Sequence, residues 1–286
     1  MGFSRNDLMA TVRETLDTLA DHLNQLRTYD PNDCPSHPEP ATIRVVNDDT
    51  LNAAIQLITE LEGQDYMYYK AKPRPAVLNF ANPRKPGRGW QNGAIAQEEA
   101  ICYRSSLALS LHPKHYPLDM DEALYSPYVL VVRGDMASGH LLLDDAPEAL
   151  PVVSVLTVAA LHKPPVKTFV LRNKSWNVRA RAEPLRRRHW EKHVFRHDRD
   201  RGITKAKMRL ALRMAASNRH DSLVLGALGC GVYQNPPEDV AHCWLEVLRE
   251  DEFSGNWWRR IWFAVYDPKN EGNYEIFDRV LSGKEV

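Results

Sequence analysis

Three things are scarce in this 286-residue chain, and each scarcity narrows what the chain can be. Cysteine occurs only at Cys34, Cys102, Cys230 and Cys243, with no C-x-x-C pair. That argues against a disulfide framework and against a structural zinc site. Reduced thiols in a cytoplasmic or nuclear protein are the expectation. Long apolar runs are missing too: those at 128–132 and 152–161 are too short or too mixed to span a bilayer. Arg5, Asp7, Arg13, Glu14 and Asp17 break up the N-terminus, so it has no signal-peptide core. A soluble protein without membrane association is expected. Net charge is the third absence, since 37 Lys and Arg balance 37 Asp and Glu.

The balance fails locally. Residues 172–213 hold 15 Lys and Arg against four Asp and Glu, an excess of 11. Such a stretch can bind a polyanion, or it can be a solvated helical face plus a loop, and both readings stand. Arg186, Arg187 and Arg188 fit a nuclear localisation signal or an ordinary helix surface equally. His189, His193 and His197 recur at i, i+4 and i+8, as metal ligands on a helix would. No Glu joins them at a helpful position, so neither a metal nor a cofactor is expected.

Strand and helix signals alternate along the chain. Helices are predicted over 7–26, from Asp49 or Thr50 to about Leu61, over 94–109, 204–217 and 274–281, and after Pro236 and Pro237. Strands are predicted at 42–46, 76–79, 128–132, 152–158, 168–171, 222–225 and 261–265. Interleaving of this kind predicts a mixed sheet covered on both faces, in one domain.

Two segments concentrate polar and glycine residues after a strand. The first, VLNFANPRKPGRGWQNGAIAQEEAICYRSSL, spans 77–107. Asn79, Ala81 and Asn82 fall at the carboxyl edge of a strand, where open α/β sheets bind ligands. Gly87, Arg88 and Gly89 follow in a loop whose free amides suit phosphate oxygens. Gln97, Glu98 and Glu99 then open a helix. Adjacent helical residues diverge by about 100°, so the carboxylates cannot face each other as a retaining-glycosidase pair. They can touch different parts of one ligand, or simply complement the helix dipole. The second segment, SLVLGALGCGVYQNPPEDVA at 222–241, places Gly229, Cys230, Gly231, Val232, Tyr233 and Asn235 between a strand and a helix. It matches neither the dinucleotide fingerprint nor a P-loop. A phosphate cradle and a plain glycine-rich turn both fit it.

Taken in order, NFAN, a Pro-Gly loop, an aromatic, NGA-x-AQEE and R-S-S resemble the signature of microbial-type poly(ADP-ribose) glycohydrolases, which have a macrodomain-like fold. The second segment is similar to that family's second ligand loop, with Tyr233 at the place of an aromatic that presses on ADP-ribose. VVNDDTLNAA at 45–54 and LYSPYVLVVR at 124–133 extend the likeness more weakly. One departure stands out: Arg88 replaces the middle glycine of a triple-glycine loop. The resemblance implies a three-layer α/β/α macrodomain-like mixed sheet over 42–286, with an N-terminal helical extension over 1–41. It also implies cleavage of ribose–ribose O-glycosidic bonds in poly(ADP-ribose). Glu99 would be the acid–base residue and Glu98 would hold the adjoining ribose, while Asn82 would bond the terminal ribose and Gln97 would steady the acidic pair. The partners implied are ADP-ribose, its polymer and ADP-ribosylated proteins, with no direct nucleic-acid binding. A non-catalytic reader of ADP-ribose and a hydrolase of mono-ADP-ribose derivatives are the rivals.

Overall fold

The structure, a computed structural model, describes residues 34–65, 73–170 and 191–286. The helix expected over 7–26, the Arg186–Arg188 run and His189 lie outside those residues. Six strands form the main sheet: β1 (Ile43–Val46), β2 (Ala76–Phe80), β3 (Leu124–Leu130), β4 (Val152–Val158), and two further on, β7 (Ser222–Gly226) and β8 (Arg260–Ala264). Their spatial order is β1-β8-β7-β2-β4-β3. All neighbours are parallel except the edge pair β3 and β4. β5 (Val166–Val170) and β6 (Glu191–Phe195) form a separate two-stranded antiparallel ribbon.

The strand period of two sorts the sheet residues into two cores. On one face, Leu78, Leu156, Leu223, Leu225 and Phe263 pack on α4 (Asp198–Ser217), α5 (Pro237–Leu248) and α6 (Asn273–Leu281). On the other, Val77, Val155, Val224 and Trp262 pack on α1 (Thr50–Asp65), α2 (Gln97–Arg104) and α3 (Leu107–Ser110). The result is the expected three-layer α/β/α arrangement. Strands covered on both faces read as nearly unbroken apolar runs, which is why 152–158 and 222–225 were legible. Trp244 of α5 is fully buried, and its indole N–H donates to the Gly226 carbonyl at 3.1 Å. Truncating it to alanine would cost about 3–5 kcal/mol.

Several expectations are corrected. β3 begins four residues earlier than predicted, with an irregularity between Ser126 and Val129 beside Pro127. Pro127 lies on an edge strand, where a missing N–H is tolerated. The helix expected over 94–109 breaks at Ser105, whose hydroxyl takes the Leu107 amide. Residues 168–171 do not extend the main sheet but belong to the ribbon, whose second strand was not foreseen. His193 sits on that strand and His197 precedes α4, so the eight-residue histidine spacing describes no helical face. Near the N-terminal boundary, Ala41 is buried and exchanges two backbone bonds with Val286 at 3.1 Å.

The basic stretch also divides. Arg201, Lys205, Arg209 and Arg213 recur every four residues and form one stripe on α4. Arg201 bonds Asp239 at 2.8 Å and Glu246 at 2.6 Å, and Lys205 reaches Glu250 at 3.1 Å. Arg209 bonds Glu250 at 2.8 Å, and Arg213 bonds Glu252 at 2.7 Å. These four of the stretch's 15 cations are consumed by the neighbouring helix and the turn after it.

Candidate functional site

The site begins where two central strands part. β4 pairs with β2 along all of Ala76–Phe80, but β7 pairs only with Ala76 and Val77. Past Val77 a crevice opens at the carboxyl ends of the strands, where α/β sheets take ligands. Gln97, at the start of α2, fills the break. Its Oε1 accepts the Phe80 N–H at 2.8 Å, and its Nε2 donates to the Leu78 carbonyl at 2.7 Å and to Thr50 Oγ1 at 3.1 Å. Gln97 thus clamps α2 to the strand, and with it the residues that follow.

Glu98 and Glu99 are both buried, and both line a cavity of about 300 Å³. Their surroundings differ. The Glu98 Oε2 accepts the Asn82 N–H at 3.0 Å, and its Oε1 accepts Asn79 Nδ2 at 3.4 Å. Burial pushes the Glu98 carboxyl up to about 7, against the opposing pull of those bonds. Glu99 Oε1 is buried without a hydrogen-bond partner. A buried polar atom in that state calls for an explanation such as a ligand or a chemical role. Cys102 lies one turn behind the pair and keeps its proton, its thiol pushed up to about 12 chiefly by burial.

The first loop passes close to these acids. Gly87 has φ +58°, and a Cβ there would stand 2.7 Å from Trp90 and 3.1 Å from the Cys102 sulfur. Arg88, the residue in place of the middle glycine, also has positive φ, +43°. Its backbone therefore keeps a left-handed conformation natural to glycine, at roughly 1–2 kcal/mol of strain. The side chain is exposed and lines the cavity near Tyr233.

The second loop makes the opposite wall. Gly229 has φ +74°, and a Cβ there would overlap Ala160 and the Asn235 amide at 2.5 Å. Asn235 is buried and donates to the carbonyls of Leu161 at 2.7 Å, Gly229 at 3.1 Å and Tyr233 at 3.3 Å. Tyr233 meets the first loop, its hydroxyl taking a bond from Asn82 Nδ2 at 3.3 Å. Asn82 Oδ1 accepts the Arg84 and Lys85 amides at 2.8 and 3.1 Å.

Of the sequence-derived candidates, Ala81, Asn82, Arg88, Gln97, Glu98, Glu99, Gly229, Gly231, Val232 and Tyr233 line the cavity. Asn79, Gly87, Gly89, Cys230 and Asn235 do not. Asn79 is fully buried because it shares the inward face of β2 with Val77, and it bonds Thr157 and Glu98. The Cys230 side chain turns into the core under the loop. Asn235 shapes the loop from beneath. Asn82 spends its side chain on the protein itself, joining the two walls, and its backbone N–H serves Glu98.

Other residues of the wall are not marked as such by the sequence, although Asp49 reads there as a helix cap. Asp49 caps α1, accepting the Leu51 amide at 2.8 Å, and pairs with the buried Arg104. Arg104 donates to Asn52 at 2.8 Å, and Asn52 to Asp135 at 2.9 Å. The Asn52 bond, first among several, holds the Asp135 carboxyl below its ordinary range. Asp49, Arg104, Asp135 and His140 border the cavity, as do Tyr266 and Asn273. Tyr266 was findable, since it follows the carboxyl end of β8 in a parallel sheet. Asp135 and His140 sit in an irregular loop that carries no signal.

Comparison with known families matches residues 8–134 to the catalytic domain of microbial-type PARG. No curated protein matches the chain. Among solved structures, it is similar to poly(ADP-ribose) glycohydrolase from Deinococcus radiodurans in complex with ADP-ribose. Identity is 26% over 92% of this chain and 90% of that one, with a TM-score of 0.63. It is also similar to the Thermomonospora curvata enzyme, at 28% identity over 91% and 89% of the two chains and a TM-score of 0.63. A third structure, the T. curvata enzyme bound to the inhibitor ADP-HPD, shares 29% identity over 91% and 88%, with a TM-score of 0.61.

Proposed function

We infer that this chain is a microbial-type poly(ADP-ribose) glycohydrolase, a glycosidase that releases ADP-ribose from the polymer. The family match and the similarity to ADP-ribose-bound structures support that reading. One observation carries it to chemistry: Glu99 is a buried carboxyl on the cavity wall with an unpartnered oxygen. Glu99 donates a proton to the departing 2′-oxygen as the bond from that oxygen to the neighbouring ribose breaks. The same carboxylate then takes a proton from the water that attacks the oxocarbenium-like ribose. Acid–base catalysis of this kind supplies about 10²–10⁴-fold. Glu98, held by Asn82 and Asn79, receives hydroxyls of the adjoining ribose. Tyr233, with Gly229, Gly231 and Val232, lines the ligand's other side.

The ADP-ribose reader rests on the altered glycine loop, and the left-handed backbone of Arg88 weakens that argument because the loop is traced as glycine would trace it. In the same proposal the α/β sheet occupies 42–286 and residues 1–41 are an N-terminal extension packed on it, which the family match from residue 8 includes in the catalytic domain. Four free cysteines suit a cytoplasmic or nuclear setting, and among the described residues no helix is long and apolar enough to cross a membrane. Incubation with poly(ADP-ribose), beside a calorimetric titration with ADP-ribose, tests the reading. Release of ADP-ribose with saturable binding is expected. Binding without release would leave the reader, and neither would end the proposal.

A further inference from the structure

Beyond the catalytic cavity, the most distinctive surface is the β5–β6 ribbon, which grows directly out of the second loop's support. The Leu161 carbonyl accepts from Asn235, and the Lys163 N–H donates to the Tyr233 carbonyl at 2.8 Å. The His162 ring stacks edge-on against Tyr233, with centroids 5.0 Å apart. Arg196, at the far end of β6, returns to the same place, its N–H bonding the Pro165 carbonyl at 2.8 Å. The base of the ribbon is therefore welded to the catalytic end of the cavity.

Its charges contrast with those of α4. Lys163, Lys167 and Arg196 are exposed, and none pairs with a carboxylate among the described residues. Lys167 lies 4.6 Å over the exposed Phe169 ring, a cation beside an aromatic face. Across the mouth, Arg84 and Lys85 are exposed next to Asn82, which bonds Tyr233. Among the described residues both lips thus carry unpaired positive charge, while the α4 stripe of Arg201, Lys205, Arg209 and Arg213 is neutralised.

We propose that the ribbon, through Lys163, Lys167 and Arg196, binds the pyrophosphates of the polymer beyond the bond that is cut, so that the enzyme prefers long chains. This rests on the reading of the cavity as a poly(ADP-ribose) glycohydrolase site. The terminal ADP-ribose unit fills the cavity with its scissile bond at Glu99, so the remaining chain leaves from the acidic end, which Asn82 joins to Tyr233. Each further unit brings two negative phosphates and an adenine. A ribbon of separated cations with an exposed aromatic complements that repeat.

The test compares wild type with K163A/K167A/R196A, and with the charge-keeping K163R/K167R/R196K. Substrates are polymer of more than twenty units, short oligomers and ADP-ribose. For the alanine variant, KM on long polymer should rise about tenfold at physiological salt. The slope of log KM against log salt should flatten by about 2, from three contacts on a single-stranded polyanion. ADP-ribose affinity and kcat on short oligomers should stay within twofold, and the charge-keeping variant should behave as wild type. Unchanged KM on long polymer would overturn the inference. So would equal losses on long polymer and on ADP-ribose, or competition by single-stranded DNA as strong as by polymer, which would mark a nucleic-acid surface instead. Failure of the underlying reading is separable: wild type would then release no ADP-ribose from any substrate, and this inference would fall with it.

Discussion

The two walls of the cavity are built by opposite means. The wall formed by the first loop and α2 carries the acids and holds them by direct bonds: Gln97 to β2, Asn82 and Asn79 to Glu98. The wall formed by the second loop carries no acid between Gly229 and Asn235, and it is held in shape from below by one buried amide, Asn235, under three carbonyls. Chemistry therefore depends on the first wall residue by residue, and binding depends on the second wall as a shape. Asn82 and Tyr233 join them, so neither wall is set alone.

Substituting the unpartnered acid should separate the two roles most sharply. Glu99→Gln keeps the size and cannot cycle a proton, so turnover on poly(ADP-ribose) should fall at least about 10²-fold. Calorimetry should show ADP-ribose affinity changed by no more than a few-fold. Wild-type turnover in a folded Glu99→Gln protein would remove Glu99 from the mechanism.

On the other wall, Asn235→Ala should act on shape. Loss of the amide leaves buried carbonyls unsatisfied, which costs about 1–3 kcal/mol in stability. A thermal melt should register that loss, and ADP-ribose affinity should fall with it, by up to about tenfold. A variant that melts early yet binds normally would show that the loop does not need its support.

Glu98 gives a pH signature to the first wall. Its carboxyl is raised from 4.5 to about 7 by burial. Between those values the unfolded chain has released a proton that the folded chain keeps. Folding stability from this group is therefore undiminished below about 4.5 and declines as pH rises toward 7. Glu98→Gln should lose that slope, so its stability relative to wild type should improve between pH 5 and pH 8. Denaturant unfolding at the two pH values reads the difference, and parallel pH profiles would contradict the burial of a titrating acid. The same variant should weaken polymer engagement several-fold, through the lost ribose contact.

The smallest effect is expected at Arg88. Glycine would relieve roughly 1–2 kcal/mol of left-handed strain, but its freer unfolded state offsets about 0.4–1 kcal/mol of that gain. Arg88→Gly should therefore stabilise by between about 0 and 1.6 kcal/mol. Affinity for ADP-ribose should drop several-fold, since a guanidinium on the cavity wall can pair with phosphate. Unchanged affinity would place the side chain in solvent.

Sequence patterns were most legible where one local rule acts. Asp49 could be read as a helix cap, and 152–158 as a buried strand, because capping and apolar runs are matters of neighbouring residues. The ribbon strand Glu191–Phe195 was missed because a short charged segment between basic residues offers neither a helical nor a strand period strong enough to stand out. The α4 stripe looked like a free basic face. Its partners Asp239, Glu246, Glu250 and Glu252 lie about 40 residues away, and nothing in the local pattern announces them.

By itself the sequence determined the alternation of strands and helices, the two glycine loops and the ordered Gln97-Glu98-Glu99 element, because each is a short-range pattern of polarity and backbone freedom. Only the tertiary structure decided which carboxylate is anchored and which has an oxygen left without a partner. It also decided that Asn79, Cys230 and Asn235 support the cavity from behind its wall, and that Arg201, Lys205, Arg209 and Arg213 are spent on ion pairs. Those outcomes depend on where β2 parts from β7 and on what each helix meets across the sheet. Burial and hydrogen-bond partnership are properties of packed surfaces, and residues far apart in the chain create them together.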